Sequence, residues 1–251
     1  MIKENSSAKN SFVLFITLLF FYIVLFEFIL PVNKILPRPS LLAESFLHIW
    51  RDYNLIYAFT ISTTVIYLML MLGFFFVYIR IAWLLKVFVE LEATILSFRL
   101  FRYLPAFFFA VIFNLWFDDK LLGEFIFALL LVLFLMSKKL FEESKNVKEE
   151  YLLVARNLNL TPCHIYEDVF WKSSLPILSE YVKQIHYYLW VLVLVYEFIG
   201  NSFGVGSIYR QALDYNDFTA LFTLALMIAL LIWFGNYLIG TIKNKLIHLT
   251  A

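Results

Sequence analysis

Residues 149–176, EEYLLVARNLNLTPCHIYEDVFWKSSLP, form a polar segment between two long apolar blocks. A first short helix is predicted by apolar residues at helical spacing, which are Leu152, Leu153, Ala155 and Leu158. Asn159 follows where this helix ends, and asparagine tolerates the left-handed backbone of such a position. Thr161 and Pro162 fit the cap and first residue of a second helix. The segment therefore predicts two short helices joined by a tight corner.

The composition of the chain is typical of a membrane protein. Hydrophobic residues make up 63% of the sequence and charged residues 16%, and the mean hydropathy is +0.82, far above that of soluble domains. A net charge of +1 without a dominant basic face argues against a nucleic-acid partner. The single cysteine, Cys163, excludes an intrachain disulfide and a cysteine-based zinc site.

Apolar segments long enough to cross a bilayer predict an all-α membrane protein with a single domain over residues 1–251. Six spans are predicted, over residues 12–30, 56–79, 94–117, 121–137, 176–199 and 218–240. The first follows a polar stretch without a cleavage site, so we expect a retained membrane anchor. Ser40 is expected to cap a short interfacial helix after this span. Charged residues in 84–102 predict a cytoplasm-side helix leading into the third span.

The distribution of basic residues predicts the orientation. With both termini in the cytoplasm, cytoplasmic segments hold fourteen of the 20 Lys and Arg residues, whereas outer segments hold five. This bias satisfies the positive-inside rule and places the polar segment in the cytoplasm. The cytoplasmic residues are Lys3, Lys9, Arg80, Lys86, Arg99, Arg102, Lys138, Lys139, Lys145, Lys148, Arg156, Lys172, Lys243 and Lys245.

The polar segment resembles the EAA loop of binding-protein-dependent ABC importer permeases, which docks the ATPase. The family pattern is E-x-A-R-x-L-G, with L-P further along the chain. The residues that match at the family's spacing are Ala155, Arg156, Leu158, Leu175 and Pro176. Leu153 stands where the family has Glu and cannot make the polar contacts of that residue. Asn159 stands where the family has Gly, and it keeps the left-handed backbone accessible.

Three other segments resemble the nitrate, sulfonate and taurine branch of this family, in the same order along the chain. LPRPS at 36–40 is similar to the branch's LPSPS-like sequence, and 103–117 is similar to its PALAW…LWFG segment. The glycine-rich stretch after the fifth span resembles S-x-G-L-G, and Glu197 then falls on the family's Glu before that loop. The matching residues are Pro105, Ala106, Leu115, Trp116, Phe117, Ser202, Gly204 and Gly206.

The resemblance implies a type I importer permease fold in the bacterial cytoplasmic membrane. It implies a second permease subunit, an ATPase dimer that binds ATP and Mg²⁺, and an external substrate-binding protein. The chain itself has no GxxxxGK[ST] motif and is therefore expected to be non-catalytic, with no cofactor of its own. Contact with the ATPase through a coupling helix is expected from Ala155, Arg156, Leu158, Asn159, Leu160, Thr161, Pro162, Ile165 and Tyr166.

Polar residues in the fifth span allow two interpretations. Glu180, Lys183 and Gln184 share a helix face and could pair with each other. Alternatively, the span lines a hydrated translocation path, for which the candidates are Lys183, His186 and Glu197. Glu197 could instead be a hydrogen-bonded interface residue.

Other functions stay open from the sequence alone. The polar segment could lie on the lipid surface, and the chain could be an ATP-independent channel or scaffold. An intramembrane enzyme would need converging catalytic residues, but the four histidines are scattered and no HExxH motif is present. The transported substrate, expected to be a small solute such as nitrate, sulfonate or taurine, rests on the resemblance.

Overall fold

The computed structural model describes residues 13–14, 16–30, 36–87, 105–161, 164–200 and 203–250. Within these ranges all regular secondary structure is helical. The predicted all-α class is therefore confirmed for the described part of the chain.

The described helices lie in this order along the chain. They are α1 (Ile16–Ile29), α2 (Pro39–Asp52), α3 (Leu55–Ile79), α4 (described over 81–87), α5 (Ala106–Trp116), α6 (Lys120–Ser144), α7 (Glu149–Asn157), α8 (Lys172–Gly200), α9 (Val205–Asp214) and α10 (Phe218–Thr250). Two stretches are π-helical. Val24–Ile29 forms the end of α1, and Ile165–Trp171 leads directly into α8.

Three of the described helices, α3, α6 and α10, are long and apolar enough to cross a membrane. The segments Val169–Gly200 and Val205–Asp214 meet the same test if they count as one broken span. The first and third predicted spans include residues 12, 15 and 94–104, which lie outside the described residues. Six spans therefore stay a prediction.

The long helices extend beyond the predicted spans. α6 continues past residue 137 to Ser144, and its added turns carry the pairs Lys138–Glu142 at 3.9 Å and Lys139–Glu143 at 2.8 Å. Such i,i+4 pairs support a helix outside an apolar environment. α8 begins at Lys172 rather than 176, and α10 continues past residue 240 to Thr250.

The chain divides into two compact units. The first comprises Met1–Ile56 and Ile208–Ile228. In it, Ser40 is not the cap of α2, because the helix already begins at Pro39. The Ser40 hydroxyl instead donates to the Glu27 carboxylate at 2.9 Å.

Tyr53 and Asp217 form the other notable side-chain contact of the first unit. The Tyr53 hydroxyl donates to Asp217 at 3.1 Å, and Asp217 also accepts a hydrogen bond from the Ala220 amide in the first turn of α10. Burial and the neighbouring Asp217 charge raise the pKa of Tyr53 to about 12. The phenol therefore stays a hydrogen-bond donor throughout the physiological pH range.

The second unit comprises Tyr57–Ser207 and Ala229–Ala251, and α5, α6 and α8 pack together in it. Its core includes Ala110, Phe127, Leu192 and Tyr196. The rings of Phe127 and Tyr196 stack with centroids 5.6 Å apart. Gly123 permits this close approach, because a Cβ atom there would lie 2.5 Å from the Tyr196 hydroxyl oxygen. This packing places the polar residues of α6 and α8 side by side.

Candidate functional site

The polar segment folds into the predicted corner. Asn159 has φ of 52°, in the left-handed region. Its amide donates to the Arg156 carbonyl at 2.9 Å, and the Leu160 amide donates to the Ala155 carbonyl at 3.1 Å. These two hydrogen bonds form a Schellman motif, which satisfies carbonyls at the end of α7. The left-handed conformation predicted for Asn159 is confirmed.

The chain turns into a second helix directly after the corner. The Thr161 carbonyl accepts a hydrogen bond from the Ile165 amide at 3.0 Å, as expected at the start of a helix. The Thr161 hydroxyl contacts Nδ1 of His164 at 2.6 Å. Pro162, predicted at the first helical position, lies outside the described residues.

An aromatic cluster anchors the second helix of the corner to α3. Trp171 is buried, and its ring lies 5.6 Å from that of Phe74 and 5.2 Å from that of Tyr78. The rings of Tyr166 and Phe170, four residues apart in this segment, also pack together, with centroids 5.4 Å apart. Because the π-helical segment runs without a break into α8, the corner is connected to both α3 and α8.

The outer surface of α7 is more apolar than the sequence analysis indicated. Ala155 is buried, but Leu158 is 67% exposed and Val154 56% exposed. Tyr151, Val154 and Leu158 lie on one side of α7, and we call these three residues the exposed apolar face. Tyr151 and Val154 were not predicted to take part, although their helical spacing could have indicated them: Tyr151 lies three residues before Val154, and Val154 lies four residues before Leu158.

Ion pairs connect α8 to α10 near the predicted cytoplasmic end. Glu180 accepts from Lys183 at 3.2 Å and is also paired with Lys243. The predicted pairing of Glu180 with Lys183 is confirmed. The prediction was wrong for Gln184, which donates to the Tyr188 hydroxyl at 3.0 Å. Tyr188 lies one turn after Gln184 on the same helix face, so its hydroxyl is within reach of the Gln184 amide. The pattern of charged residues gives no indication of this neutral partner.

His186 lies at the centre of a buried polar cluster formed by α3, α8 and α10. Its Nδ1 atom lies 3.1 Å from Oδ1 of Asn236, and its Nε2 atom lies 3.0 Å from Nε1 of Trp190 and 3.2 Å from the Tyr67 hydroxyl. An indole nitrogen can only donate, so Nε2 must accept. A neutral His186 ring therefore carries its proton on Nδ1 and donates it to Asn236.

Glu197 forms a second buried cluster with α3 and the start of α9. One carboxylate oxygen accepts from the Ser62 hydroxyl at 2.5 Å, and the other from the Gly206 amide at 2.7 Å. The Ser62 oxygen also accepts from the Val205 amide at 3.0 Å. The Val205 and Gly206 amides lie in the first turn of α9, where no carbonyl of the same helix can accept from them. Both therefore donate to side chains of other helices. A negative charge at this position also suits the helix dipole.

Gly204 fits closely against this second cluster. A Cβ atom at Gly204 would clash with the Glu197 carboxylate, so a side chain at this position would displace Glu197 from its hydrogen bonds. Among the described residues, no group of three or more His, Cys, Asp or Glu side chains is arranged to hold a metal ion.

The sequence model of the family described as binding-protein-dependent transport system inner membrane component matches residues 96–247. The chain belongs to this family. The match includes the corner, the aromatic anchor at Trp171, and His186 and Glu197 at the centres of the buried clusters. A comparison with curated proteins finds no match. Membership supports the prediction of a membrane permease component, whereas the nitrate, sulfonate and taurine branch stays a prediction.

The coupling residues predicted for this permease differ in their accessibility. Arg156, Leu158, Asn159 and Thr161 are exposed, and Leu160, Ile165 and Tyr166 are half-buried. The exposed members surround the turn, and the half-buried members lie on its inner side. The end of α7 is therefore the more accessible part of the corner.

The residues predicted to line the permease's translocation path also differ in their solvent exposure and in their partners. Lys183 is partly exposed and paired with Glu180, whereas His186 and Glu197 are fully buried and bonded to neighbours on other helices. The hydrogen bonds of Glu197 to Ser62 and to the Gly206 amide agree with the alternative interpretation, in which Glu197 is a hydrogen-bonded residue at an interface between helices. A role in the path stays a prediction for all three residues.

Proposed function

We propose that this permease is the membrane-spanning subunit of an ATP-driven importer and docks a separate ATPase through the polar segment, residues 149–176. The observation that carries the proposal is the left-handed corner at Asn159 beside the exposed apolar face of α7. The ATPase dimer supplies the bound ATP and Mg²⁺, so the permease needs no catalytic residues. A second permease subunit completes the path, and a binding protein delivers a small nitrate-, sulfonate- or taurine-like solute.

This proposal includes the topology inferred from the basic residues. Six helices cross the bacterial cytoplasmic membrane, and both termini lie in the cytoplasm with the corner. The solute path then opens alternately to the two sides as the ATPase dimer closes and reopens. The buried Trp171 anchor carries the movement of the corner to α3 and α8.

The exposed apolar face can account for stable docking. Burying a leucine or valine side chain contributes about 1.5–3 kcal/mol, so Val154 and Leu158 together could dominate a small interface. An aspartate placed in an apolar groove costs several kcal/mol without a partner. The same substitution on an exposed surface has little effect on folding.

The test is the double substitution Val154→Asp with Leu158→Asp, co-expressed with the ATPase. We expect the variant to remain monodisperse in detergent but to lose co-purifying ATPase and transport. The matched control is Tyr215→Asp, which introduces a charge at a 75% exposed aromatic residue on the predicted outer side. ATPase retained at the wild-type ratio in the double variant would contradict the proposal.

A second pair of substitutions tests the inner side of the corner. Leu160→Asp with Ile165→Asp removes two predicted coupling residues, but both side chains are half-buried in the permease itself. Loss of ATPase is therefore informative only if this variant elutes as a folded, monodisperse protein. An intact variant that still binds the ATPase would exclude the second helix from the interface.

The alternative function is an ATP-independent channel or scaffold. The observation that favours it is Leu153, which stands in place of the family's Glu and is 56% exposed. A wild-type permease that co-purifies with no ATPase, yet still supports solute flux in vesicles without ATP, would establish this alternative.

A further inference from the structure

Two buried carboxyl groups meet between α6 and α8. Glu124 and Glu197 are both fully inaccessible to solvent. Their carboxyl groups are neighbours in the packed interface between the two helices and interact electrostatically. The contact follows from the close packing of α6 on α8, where Phe127, one turn after Glu124, stacks on Tyr196.

The two carboxyl groups have different surroundings. Each oxygen of Glu197 already accepts a hydrogen bond, one from Ser62 and one from the Gly206 amide. In contrast, no donor in the described part of the chain reaches either oxygen of Glu124. Glu197 is therefore placed as a hydrogen-bond acceptor, whereas Glu124 lacks the donors that a buried carboxylate requires.

The charged and titratable groups around the pair do not compensate a second negative charge. The Tyr196 hydroxyl, next to Glu124, donates to the Lys120 carbonyl at 3.1 Å. The Lys120 ammonium donates to backbone carbonyls, including that of Phe117 at 3.0 Å. Asp119 is exposed and caps α6 through the Leu121 and Leu122 amides. From α3, the group that faces the pair is the neutral hydroxyl of Ser62.

We propose that Glu124 and Glu197 form a buried proton-binding site, in which Glu124 carries the proton and donates it to Glu197. Two adjacent carboxylates cannot both remain charged in a water-free site, and one proton removes the repulsion while supplying the missing donor. The ligand is a single proton taken from solvent, and no bond other than O–H is formed. Because Glu197 also holds the start of α9, this proton connects α6, α8 and the glycine-containing segment at 204–206.

The proposal predicts a defined dependence of stability on pH. Above about pH 6, unfolded glutamates are ionised, so the folded chain holds one proton more than the unfolded chain. Its unfolding equilibrium constant should then rise tenfold for each pH unit through this site alone. Stability is therefore lost as the pH rises. In Glu124→Gln the amide can donate to Glu197 without titrating, so this contribution should disappear.

The first experiment measures unfolding of the full chain in detergent from about pH 7 to about pH 9. The wild type, Glu124→Gln and the control Glu180→Gln are compared. Glu180 is an exposed carboxylate in ion pairs, so its replacement should leave the pH slope unchanged. In the wild type, this site should raise the unfolding equilibrium constant tenfold for each pH unit. We expect this tenfold contribution to be missing from Glu124→Gln, so its unfolding equilibrium constant should rise less steeply with pH. Equal slopes in all three proteins would overturn the proposal.

The second experiment detects the proton directly by infrared spectroscopy. Glu124 and Glu197 are the buried acidic side chains among the described residues, and loss of the C=O band of a protonated carboxyl in Glu124→Gln assigns the band to this pair. The band should be present in the wild type and in Glu180→Gln, and absent in Glu124→Gln. If Glu124→Gln does not fold, loss of the wild-type band at alkaline pH remains the test.

Absence of the band from the wild type at neutral pH would overturn the proposal. So would a wild-type stability that depends on sodium concentration but not on pH, because the pair would then hold a metal cation. Neither measurement involves the ATPase, so the result is independent of the proposed docking function.

Discussion

Ser62→Ala tests whether the buried cluster around Glu197 holds the start of α9 in place. The hydroxyl of Ser62 donates to Glu197 at 2.5 Å and accepts from the Val205 amide at 3.0 Å. Alanine removes both hydrogen bonds and leaves the Val205 amide without its acceptor. Since the side chain is completely buried, water cannot replace the lost partners without opening the packing.

The expected loss of stability follows from these two contacts. A hydrogen bond to a charged group contributes about 1.5–3 kcal/mol, and a buried donor left without a partner costs about 1–3 kcal/mol. The two effects are not independent, so we expect a total loss of about 2–5 kcal/mol. This corresponds to an increase of roughly thirtyfold or more in the unfolding equilibrium constant.

The assay is equilibrium unfolding in mixed detergent, followed by tryptophan fluorescence, of the wild type, Ser62→Ala and Ser179→Ala. Ser179 is half-buried, and its hydroxyl donates at 2.7 Å to the Pro176 carbonyl in its own helix, in a hydrogen bond that is open to solvent. Its replacement should change stability by less than about 0.5 kcal/mol. If Ser62→Ala lies within that range of the Ser179→Ala control, the cluster does not hold the helix start and the reasoning is refuted.

The other predictions concern the corner and the topology. Asn159→Gly should be neutral or mildly stabilising because glycine reaches φ near 52° without strain, whereas Asn159→Val should lower the yield of ATPase complex, since a β-branched residue is strongly disfavoured there. Equal yields would show that the left-handed turn does not matter for assembly. Cysteines introduced in place of Lys145, Asn201 and Asn244 should react with an impermeant reagent in intact cells only at position 201. Labelling at position 145 would reverse the proposed orientation.

The membrane class, the three long apolar helices and the corner could be predicted from the sequence, because each depends on local physical chemistry. Composition sets the preference of a segment for lipid over water, and this preference does not require knowledge of the neighbouring helices. The corner is equally local. The left-handed conformation of Asn159 depends on its own side chain, and the Schellman hydrogen bonds join residues of the same turn.

The helix ends were less predictable because their continuation depends on charged side chains. Lys139 and Glu143 support α6 beyond its apolar stretch, where hydropathy alone places the end of the span. The exposed apolar face of α7 could not be predicted either, because the solvent exposure of its residues depends on packing. Spacing showed which residues share a side of the helix, but the burial of Ala155 and the exposure of Leu158 depend on which side packs on the π-helical segment.

The hydrogen-bond partners in the buried polar clusters were determined by the tertiary structure alone. The polar residues of α8 were visible in the sequence, but their partners lie far away in the chain, as Ser62 does from Glu197 and Tyr67 from His186. Glu124 was not singled out at all, because one carboxyl group near the end of an apolar span resembles an ordinary interfacial residue. Helical periodicity fixes the direction of a side chain relative to its own helix axis, but the close packing of α6 on α8 determines what that side chain meets.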